Sequence, residues 1–384
     1  MVIGMARLAR YYRVYPINIV RGRMQYVWDS NGNRYLDANT GHGVAFMGHS
    51  NPEIINAIKA QLDKIITVPL NMGNEARDEF ISEFSRIIPQ GFDVVFPQNT
   101  GTEAVETAIK IGKKWTRRKT IVAFTNSFHG RTMGSLSITW NENYRKAFQP
   151  LYPHVKFGVF NNAHEVDKLV DEDTCCVVVE PVQGEGGLNV ATVDFLKALR
   201  EAANRVNALL IFDEIQCGFG RTGYTWAFQH YGVEPDVFTA GKAIAGGLPI
   251  GLVVAKGELG DVFNPGEHGS TFAGNPVVMA AAAATVKVFI RDNVPSVVKE
   301  TGSLLTKRLG ELNSRVVNRV KGMGLMIGVE LRTRAEPYVE ALMKHGVLAL
   351  TASVNVVRFL PPYMISHDDV DLIVNSLSEV LKGA

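Results

Sequence analysis

The sequence predicts an α/β protein with one large, mostly parallel sheet and a smaller α+β domain. Two observations support this prediction. Between residues 50 and 260, short apolar runs alternate with helical periods, which is typical of parallel strands joined by right-handed crossover helices. A chain of 384 residues is also longer than one hydrophobic core usually supports, which favours two domains.

The chain divides into three predicted segments. Residues 1–45 form an N-terminal segment that we expect to pack with the smaller domain, and an Asn-Gly pair between two alternating runs predicts a hairpin within it. Residues 46–275 form the large domain. Residues 276–384 begin with an alanine-rich linking helix at 276–290 and continue into the smaller domain.

Individual elements follow from the spacing of apolar residues. In the large domain, helical periods occur at 52–66 and 77–88. Apolar runs bounded by turns predict strands at 120–124, 155–160, 175–180, 208–213, 237–240 and 251–255. In the smaller domain, helices are predicted at 303–314 and 336–345, and strands at 325–331 and 356–360.

Composition and charge exclude several classes of protein. A net charge of +2, without a basic run that alternates with aromatic residues, gives no basis for nucleic-acid binding. The longest apolar stretch, 277–286, is too short and too rich in alanine to span a bilayer, and Arg7, Arg10 and Arg13 interrupt any signal-peptide pattern. Three cysteines make neither a disulfide framework nor a metal site. We therefore expect a reduced, cytoplasmic, enzyme-sized protein without a metal.

Lys242 is difficult to explain as a surface lysine, because its neighbours between Thr239 and Pro249 are small and apolar. A lysine is almost never fully buried without a partner. Two outcomes relieve the cost of burial: a paired charge, or a neutral amine that acts as a nucleophile and forms a Schiff base with an aldehyde. The surroundings of Lys242 alone allow both outcomes.

Glycine and hydroxyl residues lie at the N-terminus of a helix predicted to begin near residue 102. Gly101 stands between Thr100 and Thr102, and the residues that follow are apolar at helical spacing. Free N–H groups and the helix dipole both favour an anion at such a position. The pattern predicts either a phosphate site or an ordinary N-cap formed by one of the two threonines.

Asp213 ends the predicted strand 208–213, directly after five apolar residues. Ligands of open α/β sheets bind beyond the carboxyl ends of the strands. This carboxylate is therefore well placed to meet a buried cation, such as a protonated pyridine nitrogen. Gln216 could reach the same ligand, and Ile215 could pack on its face. The alternative is an ordinary turn or N-cap aspartate.

Four further residues are candidates for ligand contacts. Phe128 follows a predicted strand and could stack on a flat cofactor or pack in the core. Arg131 could bind a carboxylate through two parallel hydrogen bonds, or remain a surface charge. Arg358 has apolar neighbours on both sides and needs an anion, either a substrate or an internal carboxylate. Glu185, on a glycine-rich loop, is the candidate internal partner.

Three nearby features have simpler interpretations. The segment from Gly218 to Gly223 matches G-x-G-x-x-G, but four residues separate it from the preceding strand and the residues after it begin a helix poorly. We therefore do not expect a dinucleotide site. His129 is interpreted as a hydrogen-bonded structural histidine. The loop that carries Thr271 is interpreted, taken alone, as a linker before the alanine-rich helix.

Taken together, these segments resemble the class III aminotransferases, which use pyridoxal phosphate. The resemblance covers nearly the whole chain, from the hairpin at Trp28 to the strand that carries Arg358. It depends on a set of motifs: Asn-Thr-Gly-Thr-Glu, Ser-Phe-His-Gly-Arg-Thr, Glu-Pro-Val-Gln-Gly-Glu-Gly-Gly, Phe-Asp-Glu-Ile-Gln, Gly-Lys-Ala and Gly-Ser-Thr-Phe-Ala-Gly-Asn-Pro. Length and motifs are most similar to the acetylornithine aminotransferase branch, which includes lysine-biosynthesis enzymes whose substrate is held by an amino-group carrier protein.

The resemblance implies a fold type I transferase with a seven-stranded large sheet and pyridoxal 5'-phosphate as cofactor. Lys242 would bond to the cofactor aldehyde and later transfer a proton, and Asp213 would pair with the ring nitrogen. Thr271 would reach the phosphate of the neighbouring subunit, which makes a homodimer the expected unit. The other implied cofactor contacts are Gly101 and Thr102 at the phosphate, Phe128 on the ring and Gln216 near the ring hydroxyl.

The implied reaction moves the terminal amino group of an N-acylated or carrier-linked ornithine or lysine to 2-oxoglutarate. It yields a semialdehyde and glutamate, in arginine or lysine biosynthesis. Arg131 and Ser270 would contact the substrate, and Tyr12 matches a substrate-binding tyrosine of the ornithine-type relatives. Arg358 would bind the α-carboxylate of glutamate, and Glu185 would neutralise Arg358 when the other substrate is bound.

An acidic amino-group carrier protein is a candidate partner, beside the small-molecule substrates. The alternatives keep the cofactor but change the substrate or the reaction: an ornithine or other ω-amine aminotransferase, or a pyridoxal-phosphate-dependent aminomutase. A non-catalytic binding protein of the same fold is a further alternative, and the presence of both Lys242 and Asp213 argues against it.

Overall fold

The computed structural model describes residues 6–383; the first five residues of the predicted N-terminal segment and Ala384 lie outside this range. The strands are β1 (Ile19–Arg23), β2 (Tyr26–Asp29), β3 (Arg34–Asp37), β4 (Phe92–Gln98), β5 (Thr120–Phe124), β6 (Val155–Gly158), β7 (Thr174–Val179), β8 (Val182–Gln183), β9 (Asn189–Val190), β10 (Leu209–Asp213), β11 (Val237–Gly241), β12 (Gly251–Lys256), β13 (Val317–Met323), β14 (Met326–Leu331), β15 (Val347–Leu348), β16 (Leu350–Ala352) and β17 (Val356–Phe359). The α-helices are α1 (Thr40–Gly43), α2 (Pro52–Leu62), α3 (Glu75–Phe84), α4 (Gly101–Thr116), α5 (Met133–Ser137), α6 (Glu142–Arg145), α7 (Val166–Leu169), α8 (Val193–Val206), α9 (Pro276–Arg291), α10 (Val294–Gly310), α11 (Glu336–Lys344) and α12 (His367–Lys382).

The large sheet has seven strands in the order β4-β12-β11-β10-β7-β5-β6. The pairs of β10 with β11 and β7, and of β5 with β7 and β6, are parallel, while β12 runs antiparallel to both of its neighbours. Strands β5, β7, β10 and β11 are buried along their whole length, since helices cover both faces of the sheet. The predicted α/β class and the mostly parallel seven-stranded sheet are confirmed.

The six strands predicted for the large domain agree with the structure to within two residues at each end. The seventh strand, β4, has no counterpart among the predicted strands. Its sequence includes the exposed Asp93 and also Pro97, and most of its side chains are only half-buried. It lies at an edge of the sheet, where proline is tolerated because one side of the strand needs no ladder hydrogen bonds.

The C-terminal part of the chain forms an antiparallel sheet in the order β13-β14-β17-β16. Helix α10 packs on β13, and α11 and α12 pack on each other beside it. A further sheet, β1-β2-β3-β15, contains the predicted hairpin and joins the N-terminal segment to the C-terminal part, because Leu36 pairs in parallel with Val347. Within residues 6–383, no helix is both long enough and apolar enough to cross a membrane.

The direction of the central strands positions the functional side chains. Because β5, β7, β10 and β11 are parallel, their carboxyl ends meet at one edge of the large sheet. The chain leaves β10 at Asp213 and β11 directly before Lys242, so both side chains are delivered to that edge. The N-terminus of α4 follows β4 at the same edge and brings Gly101 there.

Candidate active site

A cavity of about 480 Å³ opens where the carboxyl ends of the central strands meet the N-terminus of α4. Residues from widely separated parts of the sequence surround it. They are Val44, Asn99, Thr100, Gly101, Thr102, Phe128, His129, Gly130, Arg131, Glu180, Glu185, Asp213, Ile215, Gln216, Lys242, Gly247, Leu248, Pro249 and Ile250. The cavity therefore brings together most of the residues singled out from the sequence.

Lys242 lies in the cavity wall, at the start of a short 3-10 turn that ends at Ala245. The neighbours Ala243 and Ile244 are buried, as the apolar sequence predicts. Lys242 has a left-handed backbone, with φ of 48°, which is a strained conformation that concentrates at functional sites. Burial lowers the pKa of Lys242 to about 8, although the nearby Glu185 carboxylate opposes the change. A neutral amine is thus accessible near physiological pH.

The N-terminus of α4 forms another part of the cavity wall. Thr100 caps the helix, because its side-chain oxygen accepts a hydrogen bond from the backbone N–H of Glu103 at 3.3 Å. Thr100 is therefore the N-cap, and Gly101 and Thr102, whose N–H groups have no partner within the helix, line the cavity. A Cβ atom on Gly101 would lie 2.8 Å from Cδ1 of Ile215, so only glycine leaves both the helix start and Ile215 in place.

Asp213 is buried and held by hydrogen bonds from several groups. Its Oδ2 atom lies 2.7 Å from Nδ1 of His129, and its Oδ1 atom accepts from the backbone N–H of Ile215 at 3.1 Å. Burial opposes protonation of His129, but the hydrogen bond and charge of Asp213 outweigh it and raise the pKa of His129. His129 is hydrogen-bonded, as expected, and it also lines the cavity.

Glu180 directly follows β7 and connects two loops of the site. Its carboxylate accepts from the backbone N–H of Phe128 at 2.9 Å and from that of Gly184 at 3.1 Å. Burial raises the pKa of Glu180 to about 7, although the His129 charge opposes this. The carboxylate thereby fixes the loop that presents Phe128 and the loop that presents Glu185.

Phe128 and Arg131 occupy the wall on the β5 side of the cavity. The Arg131 guanidinium lies 5.5 Å from the centre of the Phe128 ring and 4.1 Å from the centre of the Tyr144 ring. Two aromatic rings thus hold an exposed guanidinium in place through cation–π contacts. The sequence gives no local indication of the contact between Arg131 and Tyr144, because Tyr144 lies outside the Ser-Phe-His-Gly-Arg-Thr motif that contains Arg131.

Arg358 is fully buried and forms an ion pair with Glu185, whose nearest oxygen is 2.6 Å away. The same nitrogen, Nη1, donates to Oε1 of Gln216 at 3.1 Å. Burial opposes ionisation of Glu185, but the charge and hydrogen bond of Arg358 outweigh it and lower the pKa of Glu185 to about 2. Glu185 is therefore the internal partner of Arg358, as predicted. Within residues 6–383, Nε and Nη2 of Arg358 are buried without a hydrogen-bond partner.

Four predicted residues do not line the cavity of this chain. Arg358 lies behind its partner Glu185, which does line it. Ser270 is close to it, because its hydroxyl accepts a hydrogen bond from Nδ2 of Asn99 at 2.8 Å. Thr271 is exposed on the adjoining turn, and Tyr12 is 80% exposed in the N-terminal segment. A single chain gives neither Thr271 nor Tyr12 a contact with the site.

The glycine-rich segment from Gly218 to Gly223 forms consecutive turns, and no helix begins within it. Arg221 in this segment is fully buried, and its Nη1 donates to the backbone oxygens of Leu325 at 3.1 Å and Pro361 at 2.5 Å. The pattern therefore has a packing role: it joins the large domain to the C-terminal part. Its turns do not provide the helix start of a dinucleotide site.

The cavity brings together an amine of lowered pKa, a buried carboxylate, an aromatic ring and a helix N-terminus on an α/β fold. Comparison with known proteins assigns the class of protein. The sequence matches the family described as Aminotransferase class-III over residues 8–381, so the chain belongs to that family and is an aminotransferase. The family is dependent on pyridoxal phosphate in general.

Several relatives match along nearly their whole length. A protein of Pyrobaculum aerophilum is 65% identical over 99% of both chains, and its name provisionally assigns a LysW-aminoadipate semialdehyde/glutamate semialdehyde transaminase. A transaminase of the same name from Sulfolobus acidocaldarius is 44% identical over 98% of this chain and 97% of its own. The crystal structure of ornithine aminotransferase from Toxoplasma gondii superposes with a TM-score of 0.94 at 29% identity, over 98% of this chain and 92% of its own.

Proposed function

We propose that this chain transfers the terminal amino group of an N-acylated or carrier-linked ornithine or lysine to 2-oxoglutarate, in lysine or arginine biosynthesis. One observation carries the proposal: in a class III aminotransferase, Lys242, Asp213 and the N-terminus of α4 surround one cavity. The names of the full-length relatives support the substrate, because they refer to LysW-linked semialdehydes. LysW would be the carrier protein, and the cytoplasm the compartment.

The residues around the cavity fit pyridoxal phosphate. The N–H groups that begin at Gly101 and Thr102 suit a phosphate, and the Phe128 ring suits the face of a flat heterocycle. Asp213 offers a buried carboxylate to a protonated ring nitrogen, and Ile215 and Gln216 complete the wall beside it. When bound, the cofactor supplies an electron sink that acidifies the C–H bond beside the reacting amine.

Lys242 would provide the covalent attachment point and the proton carrier. Its pKa of about 8 leaves a fraction of neutral amine that can attack an aldehyde. Because the amine is already inside the cavity, it can remove and return a proton without a bimolecular encounter. Asp213 would hold the ring nitrogen of the cofactor, and His129 positions the Asp213 carboxylate.

Arg131 and Arg358 would allow one cavity to bind two unlike amino donors. Glutamate carries two carboxylates, and two guanidinium groups can each bind one of them. An ω-amine donor has methylenes where glutamate has its α-carboxylate, so the charge of Arg358 must then be neutralised from within. Glu185 does this in the ion pair described above. Since the remaining donors of Arg358 are buried, a substrate carboxylate reaches Arg358 only when the Glu185 side chain moves aside.

The proposal includes a homodimer in which Thr271 of each subunit reaches the phosphate of the other. The exposure of Thr271 beside Ser270, close to the helix cap, supports this assignment. Ser270 and Arg131 would contact substrate. Tyr12 would do so as well, from the exposed N-terminal segment.

Single-turnover reactions test the proposed substrate. The cofactor-loaded protein is mixed with acetylornithine, ornithine, acetyllysine or carrier-linked lysine, and the rate at which the cofactor accepts the amino group is followed by absorbance. We expect the acylated or carrier-linked donors to react fastest, with return of activity on addition of 2-oxoglutarate. A fastest reaction with free ornithine would favour the ornithine alternative, and exchange within one substrate without 2-oxoglutarate would favour an aminomutase.

A further inference from the structure

Arg77 lies in α3 and binds main-chain oxygens from two distant parts of the chain. Its Nε atom donates a hydrogen bond to the backbone oxygen of Gly274 at 2.7 Å. Its Nη1 atom donates to the backbone oxygens of Pro69 at 3.0 Å and Met72 at 2.8 Å, and its Nη2 atom donates to that of Val68. Every nitrogen of the guanidinium is therefore engaged, outside the active-site cavity.

These oxygens belong to two neighbouring segments. Residues 63–74, which we call the α2–α3 connection, join the two helices through turns and bends. Residues 268–275, which we call the Thr271 segment, lead into α9. A further hydrogen bond joins the segments, because Nδ2 of Asn275 donates to the backbone oxygen of Ile66 at 2.9 Å. The backbones of the two segments are thus fixed to each other.

The two segments also pack closely at Gly274, which has a left-handed backbone with φ of 64°. A Cβ atom on Gly274 would lie 2.9 Å from Cδ2 of Leu70 and 3.1 Å from Nε of Arg77. A side chain therefore has no room between Arg77 and the Thr271 segment. The guanidinium holds the Thr271 segment by the carbonyl of Gly274, shortly after Thr271 itself.

The chemistry of this contact requires an arginine. Segments built from turns lack the hydrogen-bond ladder of a helix or strand, so their carbonyl oxygens need other donors. A guanidinium presents its N–H groups in a rigid plane, and one side chain can therefore serve several oxygens at fixed angles. A lysine has a single nitrogen on a flexible stem, and a methionine of similar length has no donor.

The two segments present exposed groups at fixed positions. Thr271 is exposed, and large apolar side chains are exposed on both segments: Phe272 by 64%, Met72 by 61% and Ile66 by 54%. Exposed apolar side chains on two joined segments are typical of a surface that meets another protein. In the proposed homodimer, that protein is the second copy of this chain.

We infer that Arg77 is a positioning residue, which holds Thr271 in place for its contact with the cofactor phosphate of the neighbouring subunit. Arg77 acts through the backbone at Gly274. The inference rests on the proposed function, since it needs the homodimer in which Thr271 reaches that phosphate. A loop that is already fixed loses little conformational entropy when the contact forms. A loop displaced by about 1 Å no longer makes a good hydrogen bond.

Cofactor affinity of the full-length protein tests the inference. The cofactor-free protein is titrated with pyridoxal phosphate, and the dissociation constant is read from fluorescence. Arg77→Met removes every donor at similar length, and Arg77→Lys keeps the charge on a single nitrogen. The matched control is Arg86→Met, because Arg86 is an exposed arginine just after α3 that pairs with Glu83 at 2.6 Å.

We expect the dissociation constant to rise at least about tenfold in Arg77→Met, since a hydrogen bond to a charged group commonly contributes a factor of about ten or more. It should rise less in Arg77→Lys and less than about twofold in Arg86→Met. A constant that is unchanged in Arg77→Met overturns the inference.

A double-mutant cycle with Thr271→Val separates positioning from a general loss of structure. Thr271→Val removes the hydroxyl and should itself weaken cofactor binding. If Arg77 acts through Thr271, both changes together weaken binding no more than Arg77→Met alone. A combined effect equal to the product of the single effects overturns the inference. Arg77→Lys enters the same cycle, so the result does not depend on the folding of Arg77→Met.

Hydrogen–deuterium exchange, followed by mass spectrometry, tests the role of Arg77 independently of the cofactor and of the amino donor. Backbone amides of the α2–α3 connection and of the Thr271 segment should exchange at least about tenfold faster in Arg77→Met than in Arg86→Met. Equal exchange overturns the inference and leaves the proposed reaction untouched. If exchange rises but Thr271→Val binds the cofactor as tightly as the wild type, the cross-subunit contact of the proposed function is wrong, and the inference fails with it.

Discussion

Replacing Glu185 with alanine should separate the two half-reactions of the enzyme. In the structure, Glu185 forms an ion pair with the buried Arg358. In the proposed reaction, glutamate would have to displace Glu185 in order to bind Arg358. Without Glu185, an ω-amine donor would leave Arg358 unpaired against its methylenes, which costs free energy. Glutamate would instead find Arg358 already vacant. We therefore expect loss of the ω-amine half-reaction and retention of the glutamate half-reaction.

The pKa of Glu185 gives the size of the effect. Burial raises the pKa of Glu185, but the charge and hydrogen bond of Arg358 together outweigh burial and lower the pKa from an ordinary value of 4.5 to about 2. A change of this size corresponds to about 3 kcal/mol of favourable interaction with the charged carboxylate. If Glu185→Ala loses the whole of this interaction free energy with the ω-amine donor and none of it with glutamate, kcat/KM for the ω-amine donor falls about a hundredfold.

Pre-steady-state absorbance measures each half-reaction separately, with the cofactor loaded in its aldehyde form and the donor varied. Glu185→Gln is the matched control, since it keeps the length and hydrogen-bonding capacity of the side chain and removes only its charge. It should show the same separation with a smaller loss. A similar loss in both half-reactions of Glu185→Ala would refute the neutralising role of Glu185.

Three further predictions concern the cofactor site. The rate at which the cofactor-free protein takes up pyridoxal phosphate should rise between pH 6 and 9, with a midpoint near 8. The reason is that the lowered pKa of Lys242 makes the neutral amine available in this range. A midpoint near 10.5, the ordinary pKa of lysine, would contradict this. Gly101→Ala should weaken cofactor binding about tenfold in fluorescence titrations, since its Cβ would lie 2.8 Å from Ile215, and Ile215→Ala in the same chain should restore binding. Asp213→Asn should cut turnover at least about a hundredfold while the cofactor still binds; turnover within twofold of wild type would show that the carboxylate charge is unimportant.

The fold could be predicted wherever the sequence pattern is local. Strands such as β7 and β10 are buried on both faces, so they appear as continuous apolar runs between turns. Strand β4 could not be predicted in this way, because half-buried residues, Asp93 and Pro97 interrupt the pattern at the sheet edge. Tyr144, which stacks on Arg131, could not be predicted either, because this tertiary contact leaves no local signal. Glu180 does have a local signal, since it directly follows an apolar strand, but its contact with the Phe128 loop does not.

The site could be predicted where a residue conflicts with its surroundings. Lys242 and Arg358 are cationic among apolar neighbours, and Asp213 is acidic at the end of a buried strand. Each conflict points to a partner, and the structure supplies Glu185 for Arg358. Thr271 carries no such conflict, and its predicted role depends on a second subunit.

We propose that Lys242 forms the covalent bond to the cofactor. The direct measurement is borohydride reduction of the protein loaded with pyridoxal phosphate, followed by proteolysis and mass spectrometry of the modified peptide. We predict that the mass of the reduced cofactor is found on Lys242 and disappears in Lys242→Ala. The same adduct on another residue, or its persistence in Lys242→Ala, would contradict the assignment of this cavity as the active site.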